Sequence, residues 1–342
     1  MELNVIWFVL WGVLWGAYFM LDGFVFGAGM LLPVLGKSDS ERRVVINTFG
    51  PVWDGNEVWL ITAGGATFAA FPGTYAAMFS YLYTPLLLLL FGLIVRGVSF
   101  EFRSKEEGTV WRRVWDSAIV LSSFVPALLF GVAFGNIFAG LPMDAAGYHG
   151  SLLALLNPYG IVSGLLFLLL FLEHGALYVA VKTEGEVSRR ALAAARKVWI
   201  PLVLVAVTFL GHSYFATKLY DNFISTPLLA VVPVIAVLSL LGAGILLMRE
   251  APLAAFALSC LTILGVVFTG VIGLFPNLIP SSIDPAASLT IFNSASSPYT
   301  LRIMTGVAFI FVPIVIVYKI WAYRVFRGKV RGADLLDGSE AY

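Results

Sequence analysis

The run Pro51-Val52-Trp53-Asp54-Gly55-Asn56-Glu57-Val58-Trp59 sets two carboxylates, an amide and two indoles at the mouth of an otherwise apolar segment. Asp54 and Glu57 are three residues apart, so a helix would carry them on nearly the same face. Further ionisable residues fall inside apolar stretches: Asp22, Arg96, Glu173 and His174. Such groups are costly at membrane depth and usually line a route for protons, ions or substrate. Protons are the simplest cargo for this set. Each residue also has a plainer use. Asp54 suits a helix start. Arg96 could pair with an acid or reach for the interface. Glu173 and His174 could hydrogen-bond each other, and Trp53 and Trp59 could belong to an interfacial belt. Glu57 is the harder case, because a helix cap needs no second acid one turn deeper.

The elements that must carry these residues follow from composition. Of 342 residues 60% are hydrophobic and only 12% charged, where a soluble domain has about 25% charge, and the mean hydropathy is +0.92. This is the composition of an all-α integral membrane protein. A membrane helix needs about 20 mostly apolar residues. Apolar runs between charge clusters and Pro/Gly breaks predict nine transmembrane helices, at 5–35, 54–71, 76–99, 115–138, 157–181, 198–216, 228–248, 252–275 and 302–325. The second is the weakest, since Thr62, Gly64 and Gly65 dilute it.

Basic residues test the count independently. Of 21 Lys and Arg, 17 follow spans one, three, five, seven and nine. The positive-inside rule then puts the N-terminus outside and the C-terminus in the cytoplasm. The connections at 139–156 and 276–301 become outer loops. Asp22, Asp54, Glu57, Arg96, Glu173 and Asp116 all gather in the cytoplasmic half, a one-sided funnel suited to uptake from the cytoplasm. The first apolar run is too long for a signal-peptide core and lacks a basic leader, so no cleavable signal is expected.

Composition also excludes chemistry. The single cysteine, Cys260, rules out an intrachain disulfide and any multi-Cys metal or iron–sulfur site. A net charge of +1 argues against a nucleic-acid partner. The three histidines, His149, His174 and His212, are spread between an outer loop and two different spans, which makes no evident haem-ligand pair.

A faint repeat appears. Leu21-Asp22-Gly23-Phe24 precedes Ser40-Glu41-Arg42-Arg43, and Glu173-His174-Gly175-Ala176 precedes Glu186 and Arg189-Arg190, four spans later. A duplicated unit predicts a first four-helix bundle over 1–138 and a second over 157–275. A peripheral helix at 302–325 and a cytoplasmic tail at 326–342 would complete a single membrane domain.

At this point the motifs match a known family. Trp53-Asp54-Gly55-Asn56-Glu57-Val58-Trp59-Leu60 continues through Thr62-Ala63-Gly64-Gly65-Ala66 to Phe68-Ala69-Ala70. In order along the chain follow Arg96-Gly97-Val98-Ser99-Phe100-Glu101-Phe102-Arg103, Gly131-Val132-Ala133-Phe134-Gly135-Asn136, and Phe275-Pro276-Asn277-Leu278-Ile279-Pro280-Ser281-Ser282. Over nearly its whole length the chain resembles subunit II of the cytochrome bd-type quinol oxidases.

The resemblance implies two four-helix bundles and a peripheral helix packed against a haem-bearing subunit I. It places two b haems, haem d and the quinol-oxidising loop in that partner, and no cofactor in this chain with certainty. The complex would oxidise quinol and reduce O2 to water in a bacterial or archaeal cytoplasmic membrane, taking protons from the cytoplasm without pumping. By the same resemblance Trp53 and Asp54 match the cytoplasmic entrance of a proton path, Asp22 matches a family acid in the first helix, and Trp59 sits near an oxygen-channel mouth in some members; Glu57 and Arg96 join the expected path or its support from their placement alone. Some members hold a structural quinone in subunit II, and small single-helix subunits are a further potential partner. Two departures matter. Val25 stands where some members carry a second acid, in an Asp-Gly-Phe-Asp run, and some members have Gln in place of Glu57. Two rival readings remain: a secondary transporter, which would need a midplane site with broken helices, and a purely structural scaffold.

Overall fold

A computed structural model describes residues 2–331, so most of the expected tail, 332–342, lies outside the described residues. The chain is built from helices α1 (Leu3–Met30), α2 (Leu32–Leu35), α3 (Asp39–Phe49), α4 (Trp53–Ala70), α5 (Pro72–Tyr81), α6 (Tyr83–Phe102), α7 (Thr109–Ala139), α8 (Pro158–Lys182), α9 (Gly185–Ala216), α10 (Asp221–Ser225), α11 (Val231–Met248), α12 (Pro252–Leu274) and α13 (Pro298–Val325). Starts follow local chemistry. Asn157 accepts from Gly160 N at 2.8 Å ahead of Pro158, and Ser297 accepts from Thr300 N at 3.2 Å ahead of Pro298.

Among the described residues, eight helices are long and apolar enough to cross a membrane. They correspond to every predicted span but the second. That one forms as α4, whose polar first turns and paired glycines lower its hydropathy. It nevertheless runs antiparallel beside α1. Asn56 Nδ2 donates to Leu21 O at 2.7 Å, and Trp11 Nε1 donates to Thr67 Oγ1 at 3.0 Å. The ten residues from Trp11 to Leu21 cover about 15 Å of helix axis. The predicted third span is not one helix but two, broken at Leu82, close to Pro85, which has no N–H to continue the ladder. Several other helices outrun their predicted apolar cores; α9 absorbs Arg189, Arg190 and Arg196, which had been read as loop.

Helices α1 and α8 cross at the centre with their backbones almost touching. A Cβ on Gly27 would stand 2.7 Å from the Phe171 carbonyl carbon and 2.9 Å from Gly175 Cα. Phe19, Phe26, Phe130, Phe167 and Phe171 interdigitate around this crossing, with ring centroids 5.1 to 6.2 Å apart. α4 packs on α1, α6 on α7 and α9 on α8, while α7 and α12 each pack against both α1 and α8, and α11 lies on α12. Apart from Leu301, α13 buries little of itself. At one end the loops around 139–156 and 276–301 fold together, with Leu141 N donating to Pro280 O at 2.9 Å and Ser282 N to Leu141 O at 3.0 Å. They carry the antiparallel pairs β1 (Met143–Asp144) with β2 (Gly147–Tyr148) and β3 (Asn277–Ile279) with β4 (Leu289–Thr290).

The opposite end is charged. Arg103 joins Asp116 at 2.6 Å and Asp39 at 2.9 Å, Arg42 joins Asp116 at 2.7 Å, and Arg112 joins Asp39 at 2.9 Å. α3 begins in a capping box between Ser38 and Glu41, and Glu41 also meets Arg190 of α9 at 2.5 Å. The Arg190 guanidinium, aided by the Lys37 and Ser38 N–H groups, holds the Glu41 carboxyl below its ordinary range.

Two outcomes follow. Gly27→Leu should prevent the α1–α8 crossing, because the collision is with backbone and cannot be relieved by a rotamer; immunodetection in membranes should find little of the subunit. For Glu41, a lowered folded-state value means that its contribution is present above the unfolded value of about 4.3 and is lost as pH falls. The Tm difference between wild type and Glu41→Gln should therefore be present at pH 6 and shrink progressively as pH falls below the unfolded value of about 4.3.

Candidate functional site: a buried arginine with two carboxylates

Asp22 lies on α1, Glu57 on α4 and Arg96 on α6. The fold brings them together two turns inward from the charged end, since Arg96 precedes Arg103 of the surface network by seven residues, about 10 Å along the helix. One guanidinium nitrogen, Arg96 Nη2, donates to Asp22 Oδ2 and to Glu57 Oε1, both at 2.5 Å. The side chains of Arg96 and Asp22 are wholly buried, while that of Glu57 remains 22% exposed. Phe26, one turn along α1 from Asp22, places its ring under the guanidinium, 3.8 Å from centroid to Cζ. Arg96 Nε and Nη1 make no protein hydrogen bond, and the Tyr18 hydroxyl faces the Asp22 carboxylate. They are buried donors and acceptors through which a hydrogen-bonded path can continue.

Asp54 is exposed, one turn before Glu57, so burial deepens from Asp54 to Glu57 to Asp22. Asp54 makes no capping hydrogen bond at the start of α4; Val52 occupies the N-cap. Trp53 packs edge-on against Phe100, with centroids 5.3 Å apart, and its ring fills the space where Gly97 lacks a side chain. Trp59 packs half-buried against the main hydrophobic core, which α1, α4, α6, α7, α8 and α12 share. It borders but does not line an apolar groove of roughly 550 Å³ among α4, α5, α6 and α7, to which Leu60, Ile61, Gly64 and Phe68 contribute.

The remaining candidates sit elsewhere. Glu173 and His174 are not paired with each other. His174 Nδ1 meets Ser259 Oγ at 2.7 Å and Nε2 meets Met20 O at 2.9 Å, whereas both Glu173 oxygens lack a protein partner. Val25 is fully buried in the core. Asp116 belongs to the charged-end network, away from the Arg96 cluster.

Two contributors escaped the sequence reading. Asn56 ties three helices, donating to Leu21 O of α1 at 2.7 Å and accepting from Tyr323 Oη of α13 at 2.9 Å. Lys319, one turn before Tyr323 on α13, rests its amine against Gly55. A Lys four residues before a Tyr was visible as a shared helix face, but nothing in the sequence said which helix that face meets.

The sequence profile of cytochrome bd terminal oxidase subunit II matches residues 3–326. The chain belongs to that family. It is 38% identical to the cytochrome bd-I ubiquinol oxidase subunit 2 of Escherichia coli K12, covering 97% of this chain and 96% of the relative. Identity to the cytochrome bd ubiquinol oxidase subunit 2 of Bacillus subtilis 168 is 37%, covering 96% and 97%. Among solved structures, a chain of the bd oxidase from Geobacillus thermodenitrificans superposes with a TM-score of 0.80 at 20% identity, over 95% of this subunit II and 99% of that chain.

Removing the guanidinium would leave Asp22 buried without a counter-charge, a loss that costs about 3–5 kcal/mol for buried pairs. Arg96→Met should therefore lower the subunit's level in membranes and its Tm in detergent more than Asp54→Asn does, as quantitative immunoblotting and thermal melts would show.

Proposed function

We propose that this chain acts as the haem-free second subunit of a complex that oxidises quinol and reduces O2. It would stabilise a haem-bearing subunit I and admit cytoplasmic protons along Asp54, Glu57 and Asp22. The observation that carries this reading is the cluster itself: two carboxylates share one arginine nitrogen behind an exposed acid on the same helix. With both acids ionised the cluster bears one excess negative charge in a low-dielectric site, and a single proton neutralises it. Such a site can accept and release a proton without moving the helices around it.

Orientation follows from the charge pattern. The end bearing Arg42, Arg103, Arg112 and Arg190 faces the cytoplasm of a bacterial inner membrane, the hairpin end faces outward, and Asp54 opens to the cytoplasm. Haem belongs with the partner on the chemistry of the available donors. Both His174 nitrogens are engaged with Ser259 and Met20, and His149 pairs with Asp144 at 2.9 Å. His212 packs against Tyr159, 5.1 Å between ring centroids.

An apolar cavity of about 80 Å³, lined by Trp11, Trp15, Phe134, Phe167, Leu240 and Val267, is the nonpolar space beside which the tail of a structural quinone would have to seat. The only hydroxyls on its wall, Thr262 and Thr269, already donate to their own helix backbone. The groove beside Trp59 is the kind of surface along which a nonpolar gas could move.

Asp54→Asn tests the reading. It should slow oxygen consumption with quinol at least about tenfold, as expected for a lost proton-transfer group, while haem content and assembly persist. Turnover near wild type would remove the relay role, and loss of haem would make Asp54 structural.

A further inference from the structure

Helix α13 buries little of itself, yet it is pinned at both ends. Trp7 Nε1 donates to Thr305 Oγ1 at 3.1 Å near its start. Past its other end, Lys182 Nζ donates to the Phe326 carbonyl and to Gly328 O, the latter at 2.6 Å, and Val330 N donates to Lys182 O at 2.8 Å. Three residues before Phe326, Tyr323 turns inward while Trp321, Arg324 and Val325 stay exposed. Its ring packs on the buried cluster that contains Phe24 and Val52, and its hydroxyl donates to Asn56 Oδ1 at 2.9 Å.

Asn56 is fully buried, and a buried amide must satisfy both its nitrogen and its oxygen. Its Nδ2 donates to Leu21 O at 2.7 Å. The Leu21 carbonyl can only accept, so the tie to α1 needs the amide one way round, with nitrogen toward Leu21 and oxygen toward α13. The Tyr323 hydroxyl is the donor that fixes this orientation. Without it Oδ1 would be a buried acceptor lacking its partner, and a flipped amide would set two oxygens against each other at Leu21. Chain order does the rest. Leu21 directly precedes Asp22, and Asn56 directly precedes Glu57. The amide therefore joins α1 to α4 immediately beside the two carboxylates that share Arg96 Nη2, each 2.5 Å from it.

We infer that Tyr323 is a positioning residue of the buried carboxylate pair: by orienting Asn56 it sets α4 against α1 and keeps Glu57 on the arginine that also holds Asp22. This rests on the proposed proton path through those acids. Tyr323 acts through Asn56, and the pinned ends of α13 hold its hydroxyl where the amide needs it. The peripheral helix is thereby a brace for the site.

The test compares quinol-driven oxygen consumption of the purified, haem-loaded two-subunit oxidase in H2O and D2O for Tyr323→Phe, Asn56→Ala, the Asn56→Ala/Tyr323→Phe double variant and Asp54→Asn. Tyr323→Phe keeps the packed ring and removes only the hydroxyl. Turnover per haem should fall about fivefold, the weight of one hydrogen bond in the population of the tied arrangement, while KM for quinol stays in place. The solvent isotope effect on kcat should rise above that of wild type, because a displaced Glu57 slows proton delivery and leaves electron transfer alone. In the Asn56→Ala background Tyr323→Phe should cost nothing further.

Wild-type turnover and isotope effect in Tyr323→Phe, with Asp54→Asn still slow, overturn the positioning role and leave the path standing. A lower haem content with unchanged turnover per haem makes Tyr323 a packing contact only and overturns it as well. A further loss in the double variant overturns Asn56 as the group through which Tyr323 acts. Near-normal turnover in Asp54→Asn removes the path itself. If Tyr323→Phe does not assemble, Asn56→Ala carries the same expectation for the tie, and a wild-type isotope effect in that variant overturns the inference.

Discussion

A guanidinium with no access to solvent must find its counter-charges inside the protein, and at Arg96 it finds them on two other helices. Asp22 arrives from α1 and Glu57 from α4, each 2.5 Å from the same nitrogen. Desolvating any one of the three groups alone would cost several kcal/mol. The three helices can therefore pack in this register or carry that cost, and Phe26 beneath the guanidinium closes the last side. The positions of Asn56, Trp53 and Asp54 all follow once α1, α4 and α6 are locked together.

The second half of the molecule uses the same crossing differently. Gly27 and Gly175 let α1 and α8 approach to backbone contact, which places the paired Asp22-Gly23 and His174-Gly175 steps near each other on opposite sides of the interface. On the first side the polar group is charged and paired. On the second, His174 is hydrogen-bonded to a serine hydroxyl and a main-chain carbonyl. The two ionisable–Gly steps thus meet different partners, an arginine on one side of the crossing and a serine and a main-chain carbonyl on the other.

Much of the architecture could be read directly. Apolar runs and the alternation of basic residues follow from the cost of moving charge through hydrocarbon, which acts on each segment separately. Motif order identified the family. The third span was the exception. α4 forms where the second span was predicted, although its polar first turns make it the weakest by composition; Glu57 among them faces Arg96 rather than lipid. The broken α5–α6 pair looked continuous, since hydropathy does not register a break in the backbone.

The sequence by itself determined which segments are helical and apolar, which end is basic, and that Asp54 and Glu57 share a face. Those properties depend on residue type and spacing along one element. Only the tertiary structure decided that Arg96 serves two acids at once, that Glu173 and His174 do not serve each other, and that Lys319 reaches Gly55 from more than 260 residues away. Such pairings depend on how helices far apart in the chain cross and rotate. Summed packing of many side chains sets that geometry, and no local period in the sequence encodes it.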